Sequence, residues 1–508
     1  MPVELDVPLF SERPGLFDPA CFQFAGEFAM LFSFCFSLPA HAAYLMSAIS
    51  LRRLIGTVPA LCLIACGSVA SAADAINIGS RRELFVDRHL VDSMSDGVQL
   101  QVQQPEPREV VLVTGESWEG NTCAYYSIFQ DGDIYRMYYR GSHAVDMKSA
   151  HPEVTCYAES NDGIHWTKPK LGIHEWEGSK KNNIVWTGIG THCFVPFRDA
   201  NPECSADAKY KAISRGRPLG KKGLYVFKSP DAIHWSLIKD EPVITEGYFD
   251  SQNLAFWDPV TKKYVDYHRT FTNKVRSILM CTSDDFVTWS APIALTYPGA
   301  PNQHLYTNAI RPYFAAPHIR VGFPTRYLPK TQQVEPVFMS SRDGVTFHRF
   351  SDTIIPQTAP EDRDGNRSNY MTNGLLELPG RPDELSVFAT EAYYSGPDSR
   401  VRRFTYRKDG FVALNGTGEM LTRPLTFDGN VLALNYRCAA DGSVGVQLCD
   451  ADGEPLPAFN SGELTGDLVN HRVRWLSGQT LNKLSGRVVR LRLSLENADV
   501  FAFQFMDK

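Results

Sequence analysis

The segment Ser160-Asn-Asp-Gly-Ile-His-Trp166 decides the fold, because versions of it recur along the chain. The recurrences are Ser229-Pro-Asp-Ala-Ile-His-Trp235, Ser283-Asp-Asp-Phe-Val-Thr-Trp289 and Ser341-Arg-Asp-Gly-Val-Thr-Phe347, with a fainter copy at Arg407-Lys-Asp-Gly-Phe411. Successive serines of the four clear copies are 69, 54 and 58 residues apart. A single Asp-Gly turn is common, whereas four copies in register indicate a structural repeat.

Each copy is predicted to be a tight turn between two strands. The Ser and Asp side chains can hydrogen-bond the backbone amides of the turn, and the Trp or Phe begins the next strand, where it packs between sheets. A strand is predicted before each turn, at 154–158, 223–227, 275–281, 334–339 and 401–406. A hairpin is predicted to open each unit, at 123–139, 193–214, 253–268, 309–323 and 374–390.

These units predict an all-β chain with two domains. Four strands per unit and five units favour a five-bladed β-propeller over residues 73–415, since radial repetition hides the sheet edges. After about residue 415 the turn motif stops, and further strands with Gly/Asp turns continue to the end. We therefore predict a C-terminal β-sandwich over residues 416–508.

Charge and composition exclude one class of function. The 508 residues include 51 Lys+Arg and 57 Asp+Glu, so the formal net charge is −6. No basic block interrupts the chain, and nucleic acid is therefore not expected as a partner. Aromatic residues make up 12% of the chain, which favours β structure and suits the stacking of sugar rings.

Residues 1–72 have the character of a leader. Arg52-Arg53 precedes an apolar run, 54–69, and Ala70-Ser-Ala72 follows it. This order predicts a signal peptide over 46–72, with 1–45 as a mis-assigned upstream start. The run is too short for a comfortable membrane span, and none is predicted in the mature chain. A secreted or periplasmic location follows. The alternative is a lipoprotein site that would anchor the protein through Cys66.

The cysteines of the mature chain do not form a recognisable disulfide or zinc-binding pattern. Seven of the eleven follow the leader, at irregular spacing and without a C-x-x-C pair. The pattern predicts neither a zinc site nor a regular set of disulfides, and it leaves one or two bridges open.

The four-stranded units, the Ser-x-Asp-Gly-x-x-Trp turns and the trailing sandwich resemble the five-bladed propeller glycoside hydrolases, families 32 and 43 and their relatives. The family 32 motifs Asn-Asp-Pro-Asn-Gly, Arg-Asp-Pro and Glu-Cys-Pro are not intact here, which indicates a divergent branch. Phe197-Arg-Asp-Ala-Asn-Pro202 looks like a loosened second motif. Asp199 aligns with the hairpin-turn residues Asp131 and Asp258, however, so it is given no catalytic role.

The resemblance implies hydrolysis of a glycosidic bond by carboxylates around the central axis. An acid must protonate the leaving oxygen, and a second carboxylate must activate water or attack the sugar. In a propeller the start of each inner strand and the loop between the second and third strands face the same end. Four candidate catalytic residues follow from the chain: Glu119, Asp250, Glu391 and Glu335.

Each candidate has an expected role. Glu119, before the first inner strand, is the expected base or nucleophile, and Asp250, which opens the third inner strand, could orient substrate or tune a neighbouring pKa. Glu391 lies among apolar and aromatic residues, which raise a carboxyl pKa and suit a general acid, and Glu335 is its rival.

The structural alternatives stay open for all four. They are an exposed loop residue, a cap at the start of a strand, a plain surface residue and, for Glu391, a buried partner of Arg402 or Arg403.

Arginines form a second pattern. Arg140, Arg215, Arg269 and Arg326 end the second strand in four successive units. Guanidinium groups suit carboxylate and sulfate, so the hypothesis is an anionic glycan, with structural ion pairs as the alternative. His192 and His268 are further candidate substrate contacts. No histidine spacing matches a metal motif, and no organic cofactor is expected. A Ca²⁺ ion could lie on the axis, although the sequence shows no ligand set.

Two other functions remain open from the sequence. One is a sialidase-like hydrolase, in which clustered arginines would hold a carboxylate; the five units and the shorter turn speak against it. The other is a carbohydrate-binding propeller without catalysis, which the missing family motifs favour. The oligomeric state cannot be read from the chain.

Overall fold

The computed structural model describes residues 75–356 and 369–508. The predicted signal peptide, the upstream segment and Cys66 lie outside the described residues. The described part is nearly all strand, with four short 3-10 helices at Thr191–Cys193, Ala206–Ala208, Pro218–Gly220 and Leu481–Lys483. Nowhere in these two ranges is there a helix with the length and apolar character needed to cross a membrane. The seven cysteines of this part are all free thiols.

Five strands precede the repeated units. They are β1 (Ile76–Gly79), β2 (Arg82–Leu84), β3 (Val91–Met94), β4 (Val98–Val102) and β5 (Glu106–Val113).

The first three units are hydrogen-bonded sheets, or blades, that run from an inner to an outer strand. Blade 1 has β6 (Ala124–Asp131), β7 (Ile134–Gly141), β10 (Val154–Ser160) and β11 (Ile184–Trp186), and its loop carries the small hairpin β8 (Ala144–Val145) and β9 (Lys148–Ser149). Blade 2 has β12 (Val195–Arg198), β13 (Tyr210–Gly216), β14 (Gly223–Ser229) and β15 (Ser236–Leu237). Blade 3 has β16 (Leu254–Asp258), β17 (Lys263–Thr272), β18 (Val275–Ser283) and β19 (Ile293–Ala294).

Two further blades complete the ring. Blade 4 contains β20 (His304–Leu305), β21 (Arg311–Tyr313), β22 (Ala316–Gly322), β23 (Thr325–Leu328), β24 (Gln333–Ser341) and β25 (His348–Thr353). Blade 5 contains β26 (Met371–Leu376), β27 (Glu384–Glu391) and β28 (Arg400–Arg407). Its fourth strand is β5, which pairs antiparallel with β28, so a strand from before blade 1 closes the ring. The sequence did not predict this pairing.

The repeated motif forms the predicted turn. Ser160 Oγ accepts a hydrogen bond from the amide of Gly163 at 2.9 Å, and Asp162 Oδ1 accepts from the amides of Ile164 and His165 at 2.8 Å. Equivalent bonds form in the turns at 229–235, 283–289 and 341–347. Gly163 has φ +73°, a left-handed conformation that glycine adopts without steric cost. The motif thus joins the third strand of a blade to the fourth.

The remaining strands are β29 (Val412–Thr422), β30 (Leu425–Phe427), β31 (Val431–Cys449), β32 (Pro455–Leu464), β33 (Asp467–Arg472) and β34 (Arg490–Met506). All of them except β30 belong to one C-terminal sheet. The register of β31 against β34 shifts between Cys438 and Ser443, a bulge that bends both long strands. The sheet curls over a core that includes Leu432, Leu493 and Phe505. The all-β class, a propeller followed by a sandwich, is confirmed.

Three of the first strands of the described chain belong to this sandwich sheet. β2 pairs with β34, and β3 and β4 pair with β29, while β1 and β30 form a separate two-stranded parallel sheet. The predicted limits 73–415 and 416–508 stay a prediction, and they did not anticipate that strands before the propeller pair with strands after it.

Asp409 links the two parts of the chain. It is fully buried in the loop between β28 and β29. Its carboxylate accepts hydrogen bonds from Arg82 of β2 at 2.5 Å, from the Tyr313 hydroxyl of β21 at 2.6 Å and from the Asn435 amide of β31 at 3.2 Å. One charged group therefore holds a propeller blade and the sandwich together.

Candidate active site

Polar side chains converge where the second strands of the blades end and the inner strands begin. We call this group the axial cluster and define it by two carboxylates, one imidazole and three guanidinium groups. Its members are Glu153, Asp250, His192, Arg140, Arg215 and Arg269. Blades 1, 2 and 3 each contribute residues, so the propeller fold brings together side chains that are more than a hundred positions apart in sequence.

His192 joins the two carboxylates. Its Nδ1 lies 2.9 Å from Glu153 Oε1, and its Nε2 lies 2.8 Å from Asp250 Oδ1. The ring is fixed in the short helix before β12, while Glu153 precedes β10 and Asp250 precedes β16. The imidazole therefore bridges the two carboxylates through its two nitrogens, and Arg140 Nη1 lies 3.2 Å from Nδ1.

The guanidinium groups surround the carboxylates on two sides. Arg140 is buried; its Nη1 lies 3.5 Å from Glu153 Oε1, and its Nη2 donates to the Thr122 carbonyl at 2.7 Å. Arg215 lies 3.7 Å from Asp250 Oδ1, and 34% of its side chain is exposed. Arg269 donates from Nε to a backbone carbonyl at 2.9 Å and adds to the positive potential at Asp250. Three guanidinium groups thus face two carboxylates, so the axial cluster attracts anions.

The two carboxylates are held in the ionised form. Burial by itself would raise the pKa of Asp250, but the hydrogen bond and charge of His192, with Arg215 and Arg269, lower that pKa far below its usual range. Burial opposes ionisation of Glu153 too, and the charges of His192 and Arg140 nevertheless lower its pKa to about 2. Both groups are therefore anionic near neutral pH.

Tyrosines line the neighbouring sector of the axis. The Tyr125 ring lies 5.0 Å from the Arg140 guanidinium and 5.5 Å from the His192 ring. Tyr125 has φ +58°, a strained conformation for a residue with a side chain, at an irregularity in β6. Tyr306 lies under the Arg269 guanidinium at 5.2 Å, and the Tyr393 hydroxyl accepts from Arg140 at 2.9 Å. Aromatic faces beside charged groups are the surfaces on which sugars stack.

Glu153 should make the stability of the protein depend on acid pH. Its folded pKa of about 2 lies below the ordinary value of 4.5, so its contribution is complete above pH 4.5 and is lost as pH falls toward 2. Between pH 5.5 and pH 3 we expect the native protein to lose about 2 kcal/mol more unfolding free energy than Glu153→Gln. Urea unfolding at both pH values measures this difference. Equal losses in the two proteins would contradict the charge network.

Glu119, the expected base or nucleophile, lies outside the axial cluster. Its side chain is 1% exposed and accepts from the Tyr139 hydroxyl at 2.5 Å and from Lys168 Nζ at 2.6 Å. Both oxygens are thus occupied in a buried ion pair beneath the blade surface. The residue precedes the first inner strand as predicted, but its contacts are with Tyr139 and Lys168 and not with the axial cluster, and its catalytic role stays a prediction.

Glu391 is also a structural ion pair, which is the alternative that the sequence left open. Arg402 donates from Nε to Glu391 Oε1 at 2.5 Å, and Arg400 lies 3.3 Å from Oε2. The expected apolar setting holds, since the residue is 1% exposed, but two guanidinium groups accompany it. The role of Glu391 as a general acid stays a prediction, and its contacts match the ion-pair alternative.

The remaining candidates of blades 3 and 4 lie elsewhere as well. Arg326 and Glu335 form an ion pair with each other across β23 and β24, so neither joins the axial cluster. His268 is fully buried and lies 2.5 Å from Asp266 Oδ2 through Nδ1, and its Nε2 contacts the Glu246 carbonyl at 2.9 Å. It has no surface to offer a substrate.

One group of side chains could in principle hold a metal ion. Asp266, His268 and Cys281 place one ligand atom each within 4.8 Å of one another, all buried. Zinc ligands at their usual bond lengths lie about 3.3 Å apart in a tetrahedron, whereas the His268 and Asp266 atoms are 2.5 Å apart, at hydrogen-bond distance. The arrangement fits a buried hydrogen bond, and the residues do not fit a metal centre as they stand.

The sequence reasoning missed Glu153 and the tyrosines. Glu153 lies in the loop between the second and third strands of blade 1, one of the two places where catalytic groups were expected. Its position in the sequence would have been enough to identify Glu153 as a candidate. Tyr125 could not have been found, because its placement depends on the irregularity in β6.

Comparisons with known proteins give similarities of structure. No family model matches the chain, and no curated protein matches it. A solved structure described as a glycoside hydrolase aligns over 60% of this chain and 92% of its own, with 13% identity and a TM-score of 0.42. The GH32 β-fructofuranosidase of Bombyx mori aligns over 80% of this chain and 94% of its own, with 10% identity and a TM-score of 0.38. The β-1,2-mannobiose phosphorylase of Listeria innocua aligns over 61% and 97%, with 10% identity and a TM-score of 0.42. The chain is similar to these proteins in fold, and its chemistry has to follow from its own residues.

Proposed function

We propose that the protein hydrolyses a glycosidic bond in an anionic carbohydrate, at the axial cluster. The observation that carries the proposal is His192, which lies between two carboxylates inside a group of arginines. Such a site offers carboxylates for acid and base chemistry together with cations that recognise an anionic sugar.

The spacing of the carboxylates supports inversion at the anomeric carbon. Glu153 and Asp250 bond to opposite nitrogens of one imidazole ring, at 2.9 and 2.8 Å. Nearly straight hydrogen bonds on both sides of the ring would separate the two oxygens by about 7 to 8 Å, within the roughly 6.5–9.5 Å of inverting enzymes. The separation exceeds the roughly 5 Å of retaining enzymes, and in the unliganded protein the His192 ring occupies the space between the two oxygens, so the sugar and the water have to enter beside the ring.

In the proposed reaction Asp250 is the base. Its side chain is 39% exposed, more than that of Glu153 at 29%, and its lowered pKa keeps it ionised. Asp250 takes a proton from the attacking water while Glu153 gives one to the leaving oxygen.

His192 supplies the proton that Glu153 lacks in the unliganded protein. Transfer from Nδ1 to Glu153 removes the imidazolium charge, which is the largest influence that lowers the Glu153 pKa, and leaves burial to favour the protonated acid. After cleavage Asp250 releases its proton to solvent and His192 Nδ1 takes one up from solvent, which restores the starting state. The water contributes one proton and one hydroxyl to the two products, so the reaction balances.

The arginines point to a uronic or sulfated sugar as substrate. Arg140 is already bound to Thr122, Tyr393 and Glu153, whereas Arg215 makes one long contact with Asp250 and is partly exposed. A planar guanidinium with exposed N–H groups pairs with carboxylate or sulfate oxygens at two points. Arg215 is therefore the side chain that we expect to contact the anionic group.

One observation favours carbohydrate binding without catalysis as the second candidate function. Both carboxylates of the axial cluster have lowered pKa values, so the unliganded site stores no protonated carboxylic acid. A binding protein needs none. The two functions differ in whether bonds are broken, which an activity assay decides.

Export remains part of the proposal. It rests on the signal peptide predicted over residues 46–72, and polysaccharides rich in uronate or sulfate are polymers that a cell meets outside its membrane.

The test of the function is a panel of polysaccharides and aryl glycosides. Uronate-containing, sulfated and neutral members are incubated with the protein, and reducing ends are counted. We expect release from at least one anionic member and at most a tenth of that rate from its neutral counterpart. Binding without release from any member would support the second candidate, and activity confined to neutral members would refute the role of the arginines.

Glu119→Gln and Glu391→Gln should leave turnover nearly unchanged. Neither carboxylate reaches the axial cluster, and each accepts its hydrogen bonds from buried partners. We expect kcat within threefold of the native value and a loss of about 2–4 kcal/mol in unfolding free energy, because Lys168 or Arg402 loses its counter-charge. Turnover on the anionic substrate and urea unfolding provide the two readouts. A thousandfold loss of kcat in a folded variant would return that carboxylate to the chemistry.

A further inference from the structure

A second cavity opens at the other end of the propeller axis. Its volume is about 510 Å³, and the far ends of the five inner strands line it, opposite the end that carries the axial cluster. Its wall is largely apolar and contains Phe129, Phe197, Trp257, Phe314 and Leu376. A cavity of this size can enclose a small organic molecule.

Arg311 brings a positive charge into this apolar cavity. It begins β21, lines the cavity and has no hydrogen bond or ion pair through its guanidinium within residues 75–356 and 369–508. Burial without a compensating anion lowers its pKa to about 10. The one acidic residue in the described wall, Glu377, already accepts from Lys408 at 2.7 Å.

Other cationic side chains at the same end of the blades differ from Arg311 because they form ion pairs. Each has a carboxylate partner from a hairpin turn or loop: Arg136 pairs with Asp131, Lys211 with Asp199 and Arg320 with Asp258. Arg311 is the exception in this set. Arg311 is partly buried, and a charge that is partly withdrawn from water without a partner costs free energy, which an anion supplied by a ligand would recover.

We propose that this cavity binds an organic carboxylate with an aromatic body, whose carboxylate pairs with Arg311. Five of the wall side chains are aromatic, and they offer faces and edges for a ring to stack on. The guanidinium provides two parallel N–H groups for the two carboxylate oxygens. An aliphatic chain would fill the volume without using the ring contacts. The site is separate from the axial cluster, so occupation does not depend on the proposed hydrolysis.

The test is calorimetric titration of the full protein with 2-naphthoate and with the uncharged 2-naphthalenemethanol. We expect naphthoate to bind with a Kd at least tenfold lower than the alcohol. Arg311→Gln should weaken naphthoate by at least tenfold and leave the alcohol within threefold. The matched control is Arg381→Gln, an exposed arginine on the turn after β26, which should leave naphthoate binding unchanged.

Several outcomes would overturn the proposal. They are no naphthoate binding by the native protein at millimolar concentration, equal affinity for acid and alcohol, or tighter binding of decanoate than of naphthoate. A loss of naphthoate affinity in Arg215→Gln with none in Arg311→Gln would place the ligand in the axial cluster instead. Should Arg311→Gln fail to fold, Phe314→Ala carries the test, because Phe314 is half exposed at the cavity wall. We expect it to weaken naphthoate at least threefold, and unchanged affinity there would contradict the site.

Discussion

Asp250→Asn is expected to lower turnover on the anionic substrate by at least a thousandfold while leaving the substrate Kd within tenfold of the native value. The amide keeps the size of the carboxylate and can still contact His192, but it cannot accept a proton from water. Asp250 is ionised and is the more exposed of the two carboxylates, and the proposed reaction uses Glu153, the other one, as the acid. The measurement is kcat from reducing-end release, with the Kd from calorimetry.

Two further variants make this result specific. Asp240→Asn, in the exposed loop of blade 2 that precedes Asp250, is the matched control and should retain native turnover. Glu153→Gln should lose activity on natural linkages but recover most of it on aryl glycosides with good leaving groups, which need no acid. An Asp250→Asn protein that keeps a tenth of native kcat would show that the base lies elsewhere. No turnover even in the native protein would favour the binding function.

Asp409→Ala is expected to cost about 3–5 kcal/mol of unfolding free energy, the largest stability effect of any single substitution considered for this chain. The substitution leaves the Arg82 charge and the Tyr313 hydroxyl without their acceptor at a buried junction. Arg82 lies in β2 and Tyr313 lies in β21, so both strands lose a contact with the loop that carries Asp409. The contact between blade 4 and the sandwich is therefore expected to loosen at the same time. Urea unfolding monitored by tryptophan fluorescence measures the loss.

The partial replacement Asp409→Asn separates charge from hydrogen bonding. Its remaining carbonyl oxygen can accept from Tyr313 but does not neutralise Arg82, so an intermediate loss is expected. Asp452→Ala, in an exposed turn of the sandwich, is the control and should change stability by at most about 0.5 kcal/mol. A loss below 1 kcal/mol for Asp409→Ala would contradict the role of this residue as a link.

Much of the fold could be predicted because the turn motif carries its own hydrogen bonds. Ser160 and Asp162 bond amides within five residues, so the local sequence is enough to specify the turn and the strands beside it. The closure of blade 5 by β5 is different, since Glu106–Val113 pairs with a strand almost three hundred residues later. Nothing in the sequence of β5 identifies β28 as its partner strand. Burial of the last open sheet edge decides the pairing, and that edge exists only once the ring of blades is complete.

The site could be predicted in part for the same reason. Arg140, Arg215 and Arg269 share a position at the end of the second strand, and the symmetry of the blades brings these three together. Arg326 lies at the same position, but it forms an ion pair with Glu335 on the adjacent strand. The sequence left two interpretations of Glu391 open, because a buried carboxylate has the same sequence surroundings whether or not arginines from a neighbouring strand reach it. Local composition does not show which opposite charge the fold supplies.

The central claim is that the axial cluster recognises an anionic sugar, and binding of a sulfur-linked digalacturonate tests it most directly. Hydrolysis cannot remove this compound readily, so the native protein can be titrated and compared with the same disaccharide after reduction of its carboxyl groups. We predict a Kd at least tenfold lower for the charged form at about 0.05 M salt, and a smaller ratio at 0.5 M as screening grows. Equal affinity for the two forms, or tighter binding of the reduced form, would contradict the account.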